Sequence, residues 1–459
     1  MVMMSRWLIR SLVLLLACTS MTAQRWKLLF PYQSYTIQIN ALNPDHLYVG
    51  NWANQLLRSY DAGKSWEIVP IGSLAAENYL TSMVVSATDT NVIVIGGYQF
   101  DGIRRSDDGG RTWKRALNDT NNIRMWYVSE AIVEDPASPG RMFAARGAGS
   151  NAFYRSDDYG ATWDSIGTVG KDITTRICTM ALRPDSTNII FLGCIGGRIL
   201  RSDDGGQTFH PTEVAPGKTT LFPDSEIPKI VFSSTDPRRG YAVSAIANEL
   251  NITGNGGILQ TTDGGATWRQ TAGVDTSWWA VDVRPAANGV DDDIIVGGFR
   301  LFTQETIIKG DSIVMRSPDG GKTWTRFEGI PWGTNEVGDT IRNVWSIRWD
   351  SIGRRLYMCT SVGLYVLDES VGVDERPSTP STLQARYADG TLILIDTAPN
   401  DQERTWSIFG IDGRLAMSGE LQPGIGERTI PCGALANGRY VIVLNAERRF
   451  RTAPFTILR

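Results

Sequence analysis

The sequence predicts an all-β protein, a seven-bladed β-propeller followed by a small Ig-like β-sandwich. Three observations lead to this class. Short apolar runs bounded by Gly, Pro, Asn and Asp recur along the chain, as in proteins built from many short strands. A motif of eight residues, which we call a box, occurs six times, at a spacing close to the length of a four-stranded propeller blade. At 459 residues, the chain is too long for one ordinary core unless that core is built from repeats.

The chain begins with the layout of a secretory signal peptide, predicted over residues 1–23. Arginines precede an apolar core at residues 12–17, which is too short to span a bilayer, and small residues follow it. We expect cleavage after Ala23. Lipidation at Cys18 is the alternative, because "LLAC" resembles a lipoprotein cleavage box. The prediction is an exported protein, secreted or at the outer cell surface, with no transmembrane segment.

Six boxes follow the pattern S/T-x-D-x-G-x-S/T-W/F. The third-position aspartate can accept hydrogen bonds from the backbone N–H groups that follow it and so close a turn. Glycine at the fifth position supplies the positive φ that a tight connection needs. The aromatic residue starts the next strand and packs against a neighbouring blade. The box aspartates, predicted to be structural, are Asp61, Asp108, Asp158, Asp204, Asp263 and Asp319.

Three strands precede each box, and a seventh copy of this arrangement, residues 343–370, lacks the box and the fourth strand. Residues 24–30, "QRWKLLF", look like a strand that follows a box, with Trp26 in the aromatic position. We predict that this segment completes the seventh blade and closes a ring over residues 24–370. Closure of the ring removes open sheet edges.

With these boxes the chain resembles the Asp-box (bacterial neuraminidase repeat, BNR) proteins. That group includes sialidases, sortilin-type receptors, xyloglucan-degrading enzymes and photosystem assembly factors. The resemblance covers residues 25–370. It implies a β-propeller in which the boxes are structural and lie at the blade periphery, away from the ligand-binding face.

A second domain is predicted at the C-terminus. Residues 371–382 are polar and contain two prolines, which is typical of a linker. Residues 383–459 alternate in the manner of a β-sandwich and resemble the C-terminal sorting domain of the type IX secretion system, on Asp412 and Gly413 and on "ALANGRYVIVL". The Tyr-Pro-Asn-Pro opening of that pattern is absent. The resemblance implies the type IX machinery as a partner; a generic adhesion or carbohydrate-binding sandwich is the alternative.

The residue types that many reactions need are scarce. His46 and His210 are the two histidines of the sequence, which disfavours a His-based triad or a His-rich zinc site. Neither a nucleophile elbow nor a phosphate-binding loop is found. We predict no catalytic residues, no metal and no cofactor. With 45 Lys and Arg against 49 Asp and Glu and no basic run, nucleic acid is disfavoured as a partner.

A binding site is predicted on the face opposite the boxes, where the loops between second and third strands and between blades converge on the central channel. Aromatic rings beside arginines in these loops suit sugar rings, carboxylates or extended peptides. Each tryptophan there has blade packing as its alternative role. The predicted ligand-binding residues are Trp52, Tyr98, Arg124, Trp126, Arg176, Trp278, Trp279, Arg342 and Trp345.

These features favour an exported binding or scaffold module for a glycan or protein over an enzyme. The alternative is a propeller-type glycoside hydrolase acting on extracellular polysaccharide, which needs two carboxyl groups across one cleft, about 5 to 9.5 Å apart. A protein-assembly factor with a flat face is the third hypothesis. The acidic candidates for a hydrolase are Asp101, Glu226, Glu249, Asp275, Glu336 and Asp339.

Overall fold

The computed structural model describes the chain from Trp26 onward, with gaps. The described residues are 26–51, 55–71, 79–98, 100, 102–118, 130–145, 152–169, 176–221, 225–246, 255–299, 314–327, 343–350, 354–369, 383–388, 390–396, 403–410, 415–420, 426–446 and 449–457. The predicted signal peptide and linker therefore lie outside them. Within these ranges, no helix is long and apolar enough to cross a membrane.

The first strand, β1 (Lys27–Phe30), belongs to the last of seven four-stranded antiparallel sheets, which we call blades 1 to 7. Blade 1 holds β2 (Ser34–Ile39), β3 (Leu47–Asn51), β4 (Gln55–Ser59) and β5 (Glu67–Pro70). Blade 2 holds β6 (Tyr79–Val85), β7 (Ile93–Tyr98), β8 (Gly102–Ser106) and β9 (Lys114–Asn118). Blade 3 holds β10 (Ile132–Glu134), β11 (Met142–Ala145), β12 (Ala152–Ser156) and β13 (Asp164–Thr168).

The remaining blades continue in the same order. Blade 4 holds β14 (Ile177–Leu182), β15 (Ile190–Cys194), β16 (Arg198–Ser202) and β17 (His210–Pro211). Blade 5 holds β18 (Ser225–Phe232), β19 (Gly240–Ile246), β20 (Gly257–Thr261) and β21 (Arg269–Ala272). Blade 6 holds β22 (Trp278–Pro285), β23 (Asp292–Gly298), β24 (Val314–Ser317) and β25 (Thr325–Arg326). Blade 7 adds β26 (Val344–Trp349), β27 (Arg355–Thr360) and β28 (Leu364–Asp368) to β1.

The predicted closure of the ring is confirmed. The order of blade 7 is β1-β28-β27-β26, with Lys27 opposite Val366. The Trp26 side chain is 5% exposed and packs in the apolar core of this blade, with its ring 5.9 Å from that of Phe327 in blade 6. The first and last strands of the propeller sequence therefore share one sheet, and the seven-bladed fold is as predicted.

Two further sheets follow the propeller. Their strands are β29 (Leu383–Ala388), β30 (Thr391–Asp396), β31 (Glu403–Gly410), β32 (Leu415–Glu420), β33 (Gly426–Pro431), β34 (Gly438–Ala446) and β35 (Arg449–Ile457). The sheets have the orders β29-β30-β33 and β32-β31-β34-β35. They share one apolar core that includes Leu394, Trp406 and Ile442. This is the predicted small Ig-like β-sandwich.

Blades approach each other closely where the second strand of one blade carries a glycine. A Cβ at Gly193 would clash with the carbonyl oxygen of Ile227 in blade 5, and a Cβ at Gly50 would lie 2.5 Å from the carbonyl oxygen of Leu80 in blade 2. Backbone cannot give way as a flexible side chain does. Glycine at these positions therefore sets the spacing between the second strand of one blade and the first, innermost strand of the next.

The boxes close through four repeated hydrogen bonds. In blade 1, Asp61 accepts from the backbone N–H (2.9 Å) and the hydroxyl (2.6 Å) of Ser65, while the Ser59 hydroxyl donates to Asp61 (2.8 Å) and accepts from the N–H of Gly63 (2.7 Å). The other five boxes repeat these bonds. The predicted glycine conformation is confirmed, with φ between 76° and 92° at the fifth position.

One detail of the predicted box differs. We expected the aspartate to accept from the N–H groups directly after it, whereas its two oxygens are held by the residue four positions later. That residue, Ser or Thr, offers a backbone N–H and a hydroxyl on the same side, so it satisfies both carboxylate oxygens at once. The box is therefore a closed ring of side-chain and backbone bonds.

The boxes also tie neighbouring blades together. The residue before a box donates to the backbone carbonyl at the fourth position of the next box, from Arg105 to Tyr159 (2.8 Å) and from Arg201 to Gly264 (3.1 Å). The box aromatic packs toward the preceding blade, as with the Trp66 indole N–H, which donates to the Leu29 carbonyl of β1 (3.2 Å). The repeats thus stabilise the ring as well as each hairpin.

The boxes should make the propeller sensitive to acid. The Thr323 hydroxyl and N–H hold the pKa of Asp319 at about 2, below its ordinary value of about 3.9. Stability from such a depressed pKa is present above pH ~4 and is lost as the pH falls toward 2. We expect Asp319→Asn to lower the urea midpoint of unfolding at pH 6. We also expect the difference in urea midpoint between pH 6 and pH 3 to be smaller in this variant than in the wild type. Asp164→Asn, at an exposed aspartate outside the boxes, is the control. If it reduces the pH dependence of the urea midpoint as much as Asp319→Asn does, the acid sensitivity does not come from the boxes.

Candidate functional site

Much of the predicted ligand-binding set lies outside the described residues. Trp52, Arg124, Trp126 and Arg342 fall in the gaps, and of Tyr98 the structure describes the backbone at the end of β7 and not the side chain. A role for these five residues in ligand binding stays a prediction.

Arg176 and Trp278 are placed differently from each other. Arg176 is exposed directly before β14, at the end of the ring where innermost strands begin, which we call the upper rim. Trp278 is 1% exposed in the core between blades 5 and 6, and its indole N–H donates to the Gly273 carbonyl (3.1 Å). This burial leaves Trp278 no free surface for a ligand, so packing accounts for this tryptophan.

Trp279 and Trp345 face the axis of the ring. Each lies at a β-bulge near the start of an innermost strand, where the extra residue turns the side chain away from the regular alternation. Their rings meet edge to face at 5.8 Å, Tyr35 lies 5.6 Å from Trp345, and Phe299 lies 4.5 Å from Trp279. We call Tyr35, Trp279, Phe299 and Trp345 the aromatic plug. Tyr35 and the two tryptophans border a narrow neck of about 20 Å³ in the central channel.

Four charged side chains from four blades meet next to this neck; we call Glu130, Lys229, Asp282 and Arg348 the axial charge cluster. Lys229 Nζ lies 2.5 Å from one oxygen of Glu130, and Arg348 pairs with the other oxygen. Burial raises the pKa of Asp282 to about 6 and lowers the pKa of Lys229 to about 8. Burial thus disfavours the charged form of both Asp282 and Lys229.

Sequence reasoning missed this cluster. Its members are spread over four repeats, and each one sits in or beside an otherwise apolar innermost strand. The sequence feature that could have revealed the cluster is the presence of charged residues in the innermost strands, because a charged residue in the most buried strand of a blade is unusual unless it is paired.

Past the cluster the channel widens into a cavity of about 430 Å³. It is lined by the C-terminal ends of the innermost strands and the turns that follow them, including Asn40, Ser86 and the exposed Ala87. Because alternate strands of a blade run the same way, the third strands enter the boxes at this same end. The cavity therefore opens on the box side, opposite the upper rim.

Of the two hydrolase candidates among the described residues, Glu226 and Asp275, Glu226 is the one in a buried environment. It lies at the start of β18, on the upper rim, and is 6% exposed. Desolvation raises the pKa of its carboxyl to about 7, and the charge of Arg176 opposes this rise only in part. A carboxyl that keeps its proton near neutral pH can serve as a general acid.

The other acidic candidates are less informative. Asp275 is exposed in the turn from blade 5 to blade 6, also on the upper rim, and its N–H donates to the Asn255 carbonyl (2.9 Å). The remaining candidates lie outside the described residues: Asp101, Glu249, Glu336 and Asp339. Within the ranges that the structure covers, no group of three His, Cys, Asp or Glu side chains is arranged to hold a metal ion.

Comparison with known proteins supports the propeller fold, and the curated relatives that match are xyloglucanases by name. The Sortilin-Vps10 family model ("Sortilin, neurotensin receptor 3") matches residues 151–305, less than half of the chain. A xyloglucanase from Paenibacillus sp. is 25% identical over 346 residues, covering 68% of this chain and 28% of that protein. Xyloglucanase Xgh74A from Acetivibrio thermocellus is 26% identical over 234 residues, covering 45% of this chain and 27% of the enzyme. The chain thus spans little more than a quarter of these relatives.

Solved structures agree on the fold. The GH74 xyloglucanase from Xanthomonas campestris matches with a TM-score of 0.55 at 14% identity, over 94% of this chain and 81% of the enzyme. YCF48 from Cyanidioschyzon merolae matches with a TM-score of 0.51 at 17% identity, over 75% of this chain and 99% of that protein. At such identities the likeness shows the β-propeller alone.

These findings shift the balance between our two main hypotheses. The curated relatives are glycoside hydrolases by name, so they support the hydrolase alternative better than the binding or scaffold module that the sequence favoured. The scarcity of histidine does not weigh against that alternative, because glycoside hydrolysis needs carboxyl groups and no histidine.

Proposed function

We propose that the propeller is a glycoside hydrolase of the Asp-box type that acts on an extracellular β-glucan of the xyloglucan class at its upper rim. The observation that carries the proposal is the buried carboxyl of Glu226, whose pKa is raised to about 7 beside Arg176. In the proposed reaction, Glu226 donates its proton to the glycosidic oxygen as the bond to the sugar breaks. A second carboxylate assists the attack of water or attacks the sugar itself.

The upper rim supplies a described candidate for the second carboxylate. Asp275 follows β21 of blade 5 and precedes β22 of blade 6, so it lies at the same end of the ring as Glu226. Its side chain is exposed, so a substrate at the upper rim can reach it. The predicted ligand-binding residues Trp126 and Arg342, which lie outside the described residues, are proposed to bind the sugar chain.

A hydrolysis screen tests this function. We expect the purified protein to release reducing ends from xyloglucan, and the rate to fall as the pH rises through about 7, because Glu226 then loses the proton that it must donate. Measurement of kcat/KM from pH 5 to 9 checks the direction of this limb. A rate that rises through that range would contradict the role of Glu226 as the acid.

Glycan binding without cleavage is the second candidate. It is favoured by one observation: the described residues form a single propeller ring, with no second ring among them to face its upper rim across a cleft. Affinity for immobilised xyloglucan together with no release of reducing ends would favour this candidate over the hydrolase.

We further propose that residues 1–23 direct export and that residues 383–459 are a sorting module for type IX secretion, which places the protein outside the cell. A chain truncated after residue 382 is expected to remain in the periplasm with its propeller folded and protease-resistant. Fractionation of cells, with immunodetection of the propeller, measures this. Normal surface delivery of the truncated chain would refute the sorting role.

A further inference from the structure

A turn of blade 4 holds the strand that carries Glu226. Between β15 and β16, the backbone N–H groups of Gly196 and Gly197 both donate to the carbonyl of Ser225, at 2.7 and 2.9 Å. Ile195, directly before these glycines, forms an isolated antiparallel bridge with Glu226 itself. The first residues of β18 in blade 5 are therefore fixed by backbone bonds from the neighbouring blade, on the upper rim.

Gly197 leaves no room for a side chain. Its φ of 58° lies in the left-handed region, and a Cβ there would clash with the Ser225 hydroxyl oxygen and lie 2.7 Å from the Cβ of Leu221. Ser225 is fully buried, and the N–H of Leu221 donates to the Gly197 carbonyl (3.3 Å), so neither neighbour can move away freely. The contact between this turn and the start of β18 thus requires glycine at position 197.

The next blade repeats this arrangement beside Asp275. Gly256 stands five residues before the first box residue of blade 5, as Gly197 does in blade 4. Its φ is 70°, and a Cβ there would clash with the backbone carbonyl of Thr276, the residue directly after Asp275. The same carbonyl accepts from the N–H of Gly257 (2.9 Å). A glycine turn thus holds each of the two segments that carry a carboxyl group of the proposed reaction.

We propose that Gly197 and Gly256 are positioning residues, which hold Glu226 and Asp275 in the places that the reaction at the upper rim requires. This inference rests on the proposed hydrolase function. Neither glycine has a side chain that could take part in the reaction, so each acts through the backbone of the segment that it holds. A methyl group at either position must push that segment away, and a displacement of about 1 Å can lower a rate about 10²-fold.

Gly197→Ala and Gly256→Ala in the full chain, with xyloglucan as the substrate, test the proposal. We expect each change to lower kcat about 10²-fold and to alter KM no more than about threefold, because a catalytic group is displaced while the other substrate contacts stay. Gly289→Ala is the matched control. Gly289 also has a positive φ, of 68°, but it lies in the turn between β22 and β23 on the box side, where an added Cβ meets no atom of the described residues within 4 Å beyond its chain neighbours. An equal loss of kcat in the control, or full kcat in the other two variants, would overturn the proposal.

Titration of the Glu226 carboxyl tests the position of this residue without any turnover. Carbon-13 NMR of protein labelled at the glutamate side-chain carboxyl follows the group, and Glu226→Gln assigns its signal. Burial sets the wild-type pKa at about 7, and Arg176 and the Cys178 thiol are the charged and titratable groups that interact with the carboxyl among the described residues. Gly197→Ala opens the contact to water, so we expect the pKa of Glu226 to fall, whereas Gly289→Ala should leave it unchanged.

The two readouts separate this inference from the proposed hydrolase. If the wild type does not hydrolyse xyloglucan, the hydrolase proposal fails, while the titration still shows whether Gly197 holds Glu226 in place. A Glu226 pKa that is the same in Gly197→Ala as in the wild type would overturn the inference. If neither alanine variant folds, hydrogen exchange in the wild type decides the question. The amides of Gly196 and Gly197 should then be protected, and exchange at the rate of free loop amides would refute the contact.

Discussion

Replacement of Glu226 by glutamine is expected to lower kcat/KM on xyloglucan by about 10²- to 10⁴-fold, the usual contribution of a positioned general acid. Glutamine has nearly the shape of the protonated carboxyl but has no proton that it can release to a leaving group. The carboxyl is 6% exposed and desolvation sets its pKa at about 7, so the wild-type side chain is matched to proton donation near neutral pH.

Two measurements keep the Glu226 result interpretable. Affinity of Glu226→Gln for xyloglucan should stay within a few-fold of the wild type, because the amide preserves the surface that the sugar meets. Glu213→Gln is the control, since this carboxylate pairs with Arg269 (2.6 Å) next to a box and away from the upper rim. If Glu226→Gln keeps the activity of the wild type, Glu226 is not the general acid of the reaction.

Truncation of Trp26 to alanine is expected to lower the free energy of unfolding of the propeller by about 3 to 5 kcal/mol, the usual cost of removing a large buried aromatic. The indole fills the core of blade 7 from the first residue before β1. Its loss leaves a cavity at the one place where the ring is held by strand pairing between distant parts of the chain. Urea unfolding followed by tryptophan fluorescence, or calorimetry, measures the effect.

Phenylalanine at position 26 should restore most of this stability. The Trp26 indole N–H has no partner among the described residues, so Trp26→Phe removes an unsatisfied donor while keeping an aromatic ring against Phe327. Ile68→Ala in β5, at a side chain that is 51% exposed, is the control and should change stability by about 0.5 kcal/mol or less. A Trp26→Ala protein as stable as the Ile68 variant would show that closure does not depend on this residue.

The architecture of the ring was predictable because short sequence motifs that specify it are repeated along the chain. Each box contains all the residues of its turn within eight positions. Blade 7 lacks a fourth strand in its own repeat, and the segment at Trp26, which belongs to no other blade, supplies that strand. The bonds of the box were predicted less well. The prediction considered only neighbouring N–H groups, whereas the hydroxyl of the seventh position competes for the same carboxylate and holds it.

The channel was not predictable in the same way. Glu130 and Arg348 belong to blades 3 and 7, so their meeting depends on the closed ring and leaves no spacing in the sequence. Bulges at Trp279 and Trp345 turn side chains toward the axis, and simple strand alternation does not reveal a bulge. The burial that raises the pKa of Glu226 is likewise a property of tertiary structure.

The pairing of β1 with β28 also bears on how the protein is made. A ribosome delivers Lys27 long before Val366, so the last sheet must wait for nearly the whole propeller sequence to emerge, while blades 1 to 6 have all their strands in consecutive order. During that interval β1 has no partner strand. A chaperone that shields the segment around β1 until translation ends would thus act at the step on which successful folding depends.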